Sequence, residues 1–313
     1  MRHGNGSRPL LRVTLAVLLP FVLTLAACSS KDSGSGGSGS AAPQGPAVKI
    51  GIQDFNESKV LAHLYGEALE RNGFPTSYKE LGGFRDILYG AFEKGDVNFT
   101  LEYASSTLEF LNKQAGQASP EIDSVMPLLR DQLESRQLTA LEPSPAVDSN
   151  AFVVTAETAK TKNLHSLSDL SDDLRLGGFS DCPTNPFCIP GLKSKYGVDL
   201  SKNFTAQDGG DLTKTALKGG AIDVAVLTTT DPDIITNRWV VLTDDKGLIN
   251  ADNIVPVASD KLLEEGGKKF SELVDKVSAK LDTKALTELN RQFVVDKDDA
   301  DAIAKRWLDA NGF

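Results

Sequence analysis

Gly220-Ala221-Ile222-Asp223-Val224-Ala225-Val226-Leu227-Thr228-Thr229-Thr230-Asp231 is the stretch from which the fold can be read. Val224–Leu227 is a short unbroken apolar run, the pattern of a strand covered on both faces of a sheet. Thr228, Thr229, Thr230 and Asp231 end the run, and Pro232 stops further pairing. Ligands of α/β sheets bind beyond the carboxyl ends of the strands. A buried strand that ends in hydroxyls and a carboxylate is therefore a candidate ligand rim. The same residues also fit an ordinary helix cap, with Thr or Asp at the N-cap position.

A second copy favours the rim. Gly95-Asp96-Val97-Asn98-Phe99-Thr100-Leu101-Glu102-Tyr103-Ala104-Ser105-Ser106 aligns with the first stretch without a gap. Gly95 matches Gly220, Val97 matches Ile222, Asn98 matches Asp223, Tyr103 matches Thr228 and Ser105 matches Thr230. Each copy follows a helix-like segment ending in Lys-Gly, and each segment follows a glycine pair, Gly82-Gly83 or Gly209-Gly210. Further upstream, Val48-Lys49-Ile50-Gly51 resembles Leu174-Arg175-Leu176-Gly177. One weak repeat of a whole α/β lobe accounts for these matches better than a short solenoid period. Two such lobes imply a cleft with the rims facing each other; fortuitous similarity between βα units is the alternative.

The chain of 313 residues is long enough for two lobes of about 100–150 residues. It carries 33 basic against 43 acidic residues, a formal net charge of −10. Such a balance does not favour a phosphate backbone as partner, so no nucleic acid is expected. Arg2, Arg8 and Arg12 precede the apolar run Leu15–Ala27, which closes as Leu25-Ala26-Ala27-Cys28. A basic segment, a short apolar core and small residues before the cut describe a secretory signal peptide over residues 1–27. The Cys after Leu-Ala-Ala resembles a bacterial lipobox, which implies lipidation at Cys28 and a chain held on the extracytoplasmic face of the cell membrane. An uncleaved anchor helix is the competing reading, but the run is shorter than the roughly 20 residues a span needs. Residues 28–46, rich in Gly, Ser, Ala and Pro, form a flexible tether with a reach of roughly 23 Å.

Periodicity predicts strands near Ala47–Ile52, Ser77–Leu81, Leu138–Leu141, Ala151–Thr155, Leu174–Phe179, Phe204–Ala206, Trp239–Leu242 and Ile254–Ala258. Helices are predicted over Val60–Leu69, Phe84–Phe92, Ser105–Asn112, Ile122–Leu133, Leu192–Tyr196 and Leu212–Leu217. Three more follow, over about Lys268–Leu281, Thr283–Phe293 and Asp299–Asn311, with Asp282 and Asp298 as caps. Lobe 1 is expected to comprise 47–148 plus 253–313 and lobe 2 to comprise 149–252, with two crossovers acting as a hinge. Cys182 and Cys188 suit one disulfide in an exported protein, and two free thiols are the alternative. Their spacing is not Cys-x-x-Cys and no His lies nearby, which disfavours a metal or redox pair. His3, His63 and His165 join no Cys-His pair, nucleophile elbow, phosphate-binding loop or HExxH motif. The expectation is a binding protein rather than an enzyme, with no cofactor, no metal and a monomeric state.

These residues also carry a family resemblance. Lys49-Ile50-Gly51 followed by Gln53-Asp54-Phe55-Asn56-Glu57, then Leu81-Gly82-Gly83, Leu101-Glu102-Tyr103, Ser166-Leu167-Ser168-Asp169-Leu170 and Pro190-Gly191-Leu192 occur in order. Tyr196-Gly197, Thr230-Asp231, Val241–Gly247, Ile254-Val255-Pro256 and Leu289-Asn290 continue the series. Nearly all of Val48–Phe313 thereby resembles the substrate-binding proteins of ABC importers for glycine betaine, choline and related osmoprotectants. The resemblance implies a two-lobed, hinged periplasmic-binding-protein fold of the α/β class that delivers its ligand to a membrane permease driven by a cytoplasmic ATPase. It also implies a box of aromatic rings, because a trimethylammonium head offers no hydrogen bonds and is held by ring faces.

Tyr103 stands at a family ring position, and Phe55 and Phe84 can supply others. With Asp54, Asn56 and Gly83 they form the expected rim of lobe 1; Phe179, Asn185, Thr228, Thr229, Thr230 and Asp231 form that of lobe 2. Asp231 alternatively caps the next helix. Replacing Tyr103 with Ala is expected to weaken binding and spare the fold. Three positions depart from the family: Gln53 stands where Lys is common, Asn185 where Arg is common and Thr228 where a ring is common. Losing two cations removes charge-assisted bonds of roughly 1.5–3 kcal/mol each, which disfavours a carboxylate-bearing betaine. The expected ligand is choline-like, or neutral and hydroxylated; a sensor lipoprotein without transport is a further alternative.

Overall fold

The computed structural model describes residues 45–83, 85–207 and 209–313. The signal segment, Cys28 and most of the tether lie outside the described residues, as does Phe84. No helix among the described residues is long and apolar enough to cross a membrane.

The first half opens with β1 (Val48–Ile52), α1 (Asn56–Arg71), β2 (Thr76–Glu80), α2 (Arg85–Glu93) and β3 (Phe99–Tyr103), then α3 (Ala104–Leu111), α4 (Ile122–Glu134) and β4 (Leu138–Ala140). The second half contains β5 (Asn150–Val154), α5 (Ala156–Lys162), β6 (Leu176–Phe179) and α6 (Ile189–Gly191). It continues through β7 (Phe204–Gln207), α7 (Asp211–Lys218), β8 (Val224–Thr228), α8 (Pro232–Thr236) and β9 (Val240–Val241). The chain returns through β10 (Ile254–Ser259) and closes with α9 (Asp260–Lys280), α10 (Thr283–Val294) and α11 (Ala300–Asn311).

Two five-stranded sheets result, ordered β2-β1-β3-β10-β4 and β7-β6-β8-β5-β9. In each, the first three strands are parallel and the fourth runs antiparallel to the third. The repeat extends to single hydrogen bonds. Lys49 N donates to Asn98 Oδ1 at 2.7 Å and Arg175 N donates to Asp223 Oδ2 at 3.0 Å. Asn98 N and Asp223 N return bonds to the carbonyls of Lys49 and Arg175, both at 2.9 Å. Gly95 and Gly220 end the equivalent helices with φ of 69° and 67°. That left-handed conformation is open to glycine and strained for other residues.

Each sheet has its own apolar core. Leu61, Leu64, Tyr65, Ala68 and Leu69, the predicted face of α1, are all buried against β1, α9 and α11. Phe152, Leu176, Val224 and Val226 anchor the second core, which also takes in the disulfide of Cys182 and Cys188. His63 stacks on Tyr78 with centroids 4.3 Å apart and pairs with Asp301, a packing role.

Several elements differ from the predicted pattern, among them the cap of α11, which is Asp299 rather than Asp298. α9 begins at Asp260, capped by Ser259, rather than near Lys268, since helix precedes the kink at Gly267 (φ 57°, ψ −161°). α5 escaped prediction because it buries only Ala159 and so lacks an apolar stripe; Thr155 caps it through Thr158 N.

Two chain segments join the sheets, and they are bonded to each other. Val147 and Asn253 form an antiparallel bridge, Asp148 N donates to Asp252 O, and Ser149 Oγ donates to Asn250 O at 2.7 Å.

A Cβ at Gly95 or Gly220 would meet nothing within 4 Å, so the cost of a side chain there is backbone strain alone. Gly95→Ala and Gly220→Ala should each destabilise the chain by about 1 kcal/mol, and by similar amounts. Urea denaturation of both variants checks this; a neutral substitution at either site would contradict it.

Candidate functional site

The carboxyl ends of β1 and β2 are stitched together. Leu81 N donates to Ile52 O, and Asp54 N donates to Gly83 O at 3.0 Å. Phe55, in extended conformation, is the N-cap of α1, and its half-buried ring lies 5.9 Å from that of Tyr103. Asp54 and Asn56 flank it and are exposed. The lobe 1 rim therefore brings Asp54, Phe55, Gly83 and Tyr103 together. Gln53 lies beneath it, only 3% exposed, and its Nε2 has no hydrogen-bond partner among the described residues.

Tyr103 is 6% exposed and belongs to the first core. The expectation that Ala at this position spares the fold is therefore replaced: truncation would leave a cavity, at a cost of about 3–5 kcal/mol for a large ring. Its hydroxyl donates to Glu57 Oε1 at 2.7 Å. Arg85 lies 6.0 Å from the ring centroid and pairs with Glu102 Oε2 at 3.1 Å, while Thr107 Oγ1 donates to the same oxygen. Burial works against the Arg85 charge, but Glu102 and Asp252 more than restore it.

Glu57 is the centre of this region. It sits in the first turn of α1 and is fully enclosed by the fold. Asn290 Nδ2, from α10, donates to its Oε2 and also to the carbonyl of Thr230 at 3.3 Å, joining the two sheets' territories. Thr230 Oγ1 donates to Asp148 Oδ1 at 2.7 Å, and Asp148 faces Glu57. Burial pushes the Glu57 carboxyl above its ordinary range, while hydrogen bonds from Thr230, Tyr103 and Asn290 pull it back. Asp148 is pushed up well above the usual carboxylate range, first by burial and then by the Glu57 charge. Burial and proximity thus disfavour both members carrying charge at once. Burial and these two carboxyls together raise the Tyr103 phenol well above 10.0.

The second rim is engaged largely with its own surroundings. Phe179, at the end of β6, packs over Gly209, where a Cβ would lie 2.1 Å from the ring. Asn185 donates to Asp181 Oδ2 and accepts from Phe187 N within the disulfide loop. Thr228 is half-buried and bonds to Asp148. Thr229 Oγ1 donates to Val147 O and accepts from Ser149 N, so it ties β8 to the crossover. Asp231 caps α8 through Asp233 N and meets Lys214 at 3.5 Å. A cavity of about 550 Å³ lies beside Arg136 and Lys261, and one of about 370 Å³ is lined by Thr229 with Ser149 and Asn250; neither carries any of the lobe 1 rim.

Sequence reasoning gave no role to Glu57, Arg85, Asp148 or Asn290. Glu57 and Asn290 were visible as members of resemblance motifs, but an acid in a helix's first turn reads as an ordinary dipole partner. Only the return of α10 reveals what buries it.

The family model for the substrate-binding domain of ABC-type glycine betaine transport systems matches residues 46–310. The chain belongs to this family. Among curated relatives of this glycine betaine transport family, the glycine betaine-binding protein YehZ of Escherichia coli K12 is 25% identical over 284 residues, covering 85% of this chain and 91% of YehZ. The carnitine transport binding protein OpuCC of Listeria monocytogenes is 25% identical over 306 residues, covering 95% of each chain. A solved glycine betaine/carnitine/choline ABC transporter structure superposes with a TM-score of 0.76 at 25% identity, covering 84% of this chain and 97% of that one. Apo YehZ, at 24% identity over 85% of this chain and 99% of its own, shares the fold with a TM-score of 0.72. The family's members are solute-binding transport proteins, and the two-lobed α/β architecture is theirs.

Asp148→Asn should discriminate the carboxyl pair. A carboxyl raised by burial contributes stability that is fully present below its ordinary range, near pH 4, and is lost as pH rises through the raised value. The neutral amide removes that loss. Thermal melts should show the variant gaining on the wild-type chain at pH 8, with the gap closing toward pH 4; a pH-independent difference would contradict the raised Asp148 carboxyl.

Proposed function

We propose that this chain captures a quaternary-ammonium osmoprotectant of the glycine betaine, carnitine or choline type outside the cytoplasm and delivers it to an ABC importer. The observation that carries the reading is the lobe 1 rim of a chain matched by the family over residues 46–310. There two tilted rings, Phe55 and Tyr103, converge beside buried carboxyls. Ring faces and nearby negative charge suit a cation that can neither donate nor accept a hydrogen bond. The unpartnered Gln53 Nε2 supplies a donor for an oxygen at the ligand's other end. Asp54, Asn56 and Gly83 complete this rim, and Phe179, Asn185 and Thr228–Asp231 close on it from lobe 2. In this reading lobe 1 comprises 47–148 with 253–313, lobe 2 comprises 149–252, and the bonded crossovers are the hinge.

The neutral, hydroxylated ligand raised by Gln53, Asn185 and Thr228 gains no support. Asn185, Thr229 and Thr230 already direct their polar groups at Asp181, Val147 and Asp148. Capture requires no catalysis: the ligand stabilises the closed arrangement by binding it better than the open one. The working protein is a monomer, lipidated at Cys28 and held on the extracytoplasmic face of the cell membrane by the residue 28–46 tether, without a metal or cofactor.

Isothermal titration against glycine betaine, carnitine, choline and sorbitol tests the ligand class. Binding of at least one quaternary amine, with sorbitol inert, is the expected result, and the reverse pattern would overturn it. Tyr103→Leu, which keeps apolar bulk but removes the ring face and the hydroxyl, should weaken that binding about tenfold or more, whereas Tyr103→Phe should stay within a few-fold. Equal affinity in all three chains would remove Tyr103 from the site.

A further inference from the structure

The two halves of the chain run through their elements in the same order, β1-α1-β2-α2-β3 and β6-α6-β7-α7-β8, and β1 and β6 hold the same place in their sheets. The link from this strand to its helix differs. Residues 53–55 suffice in lobe 1, whereas lobe 2 uses residues 180–188. Both links bring a phenylalanine to the helix entrance: Phe55 is the N-cap of α1, and Phe187 precedes Cys188, the N-cap of α6. Phe55 meets Tyr103 at the lobe 1 rim.

The longer link is built as a rigid carrier. The disulfide of Cys182 and Cys188 closes it, with both cysteines buried. Cys182 N donates to Phe179 O at 3.0 Å, and Thr184 N and Asn185 N both donate to Asp181 O at 2.9 Å. Cys188 N donates to Asn185 O at 3.0 Å, Ile189 N to Cys182 O at 3.3 Å, and Phe187 N to Asn185 Oδ1 at 2.9 Å. Positions 183 and 186 are prolines, with no N–H to satisfy. The backbone that carries Phe187 is therefore ordered before any ligand arrives. Yet the ring does not serve a core. Between residues 149 and 252, Phe152, Phe179, Tyr196, Phe204 and Trp239 all lie in or against an apolar cluster. Phe187 is half-buried and belongs to none of the clusters among the described residues. A ring left out of the cores, on a covalently clamped loop at the carboxyl end of an interior strand, stands where ligands of α/β sheets bind.

We propose that Phe187 is the ring face that lobe 2 lays on the ligand's trimethylammonium group, opposite Phe55 and Tyr103, and that the Cys182–Cys188 clamp preorganises it. Thr228 has no ring to offer, so enclosure of the cation from this side passes to the clamped loop. The proposal rests on reading the chain as a quaternary-amine binding protein. The test is calorimetry of the wild-type chain and its variants with glycine betaine, carnitine and choline, which share the head group and differ in the tail. Phe187→Leu keeps apolar bulk but removes the ring face. It should weaken each ligand that binds about tenfold, by the same factor for all, while Phe187→Tyr stays within about threefold of wild type. Cys182→Ala with Cys188→Ala should weaken binding about fivefold, and Phe187→Leu should cost less in that background than in the clamped chain. Unchanged affinity in Phe187→Leu overturns the proposal. So does an equal loss in Phe187→Tyr, which makes the position structural, or a loss confined to the carboxylate-bearing ligands, which places it at the tail. A double alanine variant that binds as wild type, or does not fold, overturns the clamp's part in binding; the Phe187 variants keep the disulfide and decide the ring independently. A wild-type chain that binds none of the three ligands removes the ligand class and the proposal together, whereas binding indifferent to Phe187→Leu removes the proposal alone.

Discussion

The Glu57 carboxyl, enclosed where the two sheets' territories meet, is the constraint on which the rest of the arrangement depends. A carboxyl taken out of water is costly unless donors surround it or it keeps a proton. Here the donors come from two separate parts of the chain, Tyr103 from the end of β3 and Asn290 from α10, while Thr230, from the loop after β8, holds the facing Asp148. Satisfying one side chain thus requires the C-terminal helices to return to the first sheet and the second rim to lie against the crossovers. Asp148 adds a second carboxyl, pushed well above the usual range by burial and by the Glu57 charge. On the other side of the Tyr103 ring, Glu102 is fully buried and is held by Arg85 and Thr107. The ring is therefore fixed between two polar clusters rather than set loosely in a pocket.

The internal repeat explains the frame but not the site. Equivalent strands, equivalent positive-φ glycines and equivalent backbone-to-carboxyl or backbone-to-amide bonds recur at Asn98 and Asp223. These features close the βα units and need the same residues in both lobes. Divergence begins where the strands end. Tyr103 faces a buried carboxyl, whereas its counterpart Thr228 bonds to Asp148. The three C-terminal helices all pack on α1, and α10 also reaches α8 across the junction. One lobe thus acquires a rigid, charged floor and the other a set of short hydroxyl side chains.

What the sequence disclosed follows this division. The strand run of Val224–Leu227 and its counterpart were legible because burial on both faces leaves an unbroken apolar pattern, and the rim loops because glycine and proline punctuate them. α5 was not legible, since a helix that buries one alanine has no period. At the site, Phe55 and Tyr103 were visible as rings, and their approach to 5.9 Å was not. Glu57, Asp148 and Asn290 were hidden for a different reason. Each looks like an ordinary solvated or capping residue until a distant segment covers it, and the contacts of Asn290 with Glu57 and Thr230 span 233 and 60 residues. Long-range polar pairing leaves no local signature.

The asymmetry between the rims has a consequence for how capture proceeds in the proposed mode. The rings of lobe 1 are held by core packing and by Glu57, so their geometry exists before any ligand arrives, and little ordering entropy remains to be lost there. The groups of lobe 2 are already bonded to the crossover through Thr229 and Thr230. Moving lobe 2 therefore disturbs the same segment that carries Asp148, and with it the carboxyl that faces Glu57. First contact on a preformed ring pair and closure through the crossover are consequently separate steps. Ring identity sets the affinity of the first, and the carboxyl pair sets the equilibrium of the second. A substitution at Tyr103 and one at Asp148 should then act on different terms of the same binding free energy. Such terms are additive only as far as the Tyr103–Glu57 hydrogen bond does not couple them.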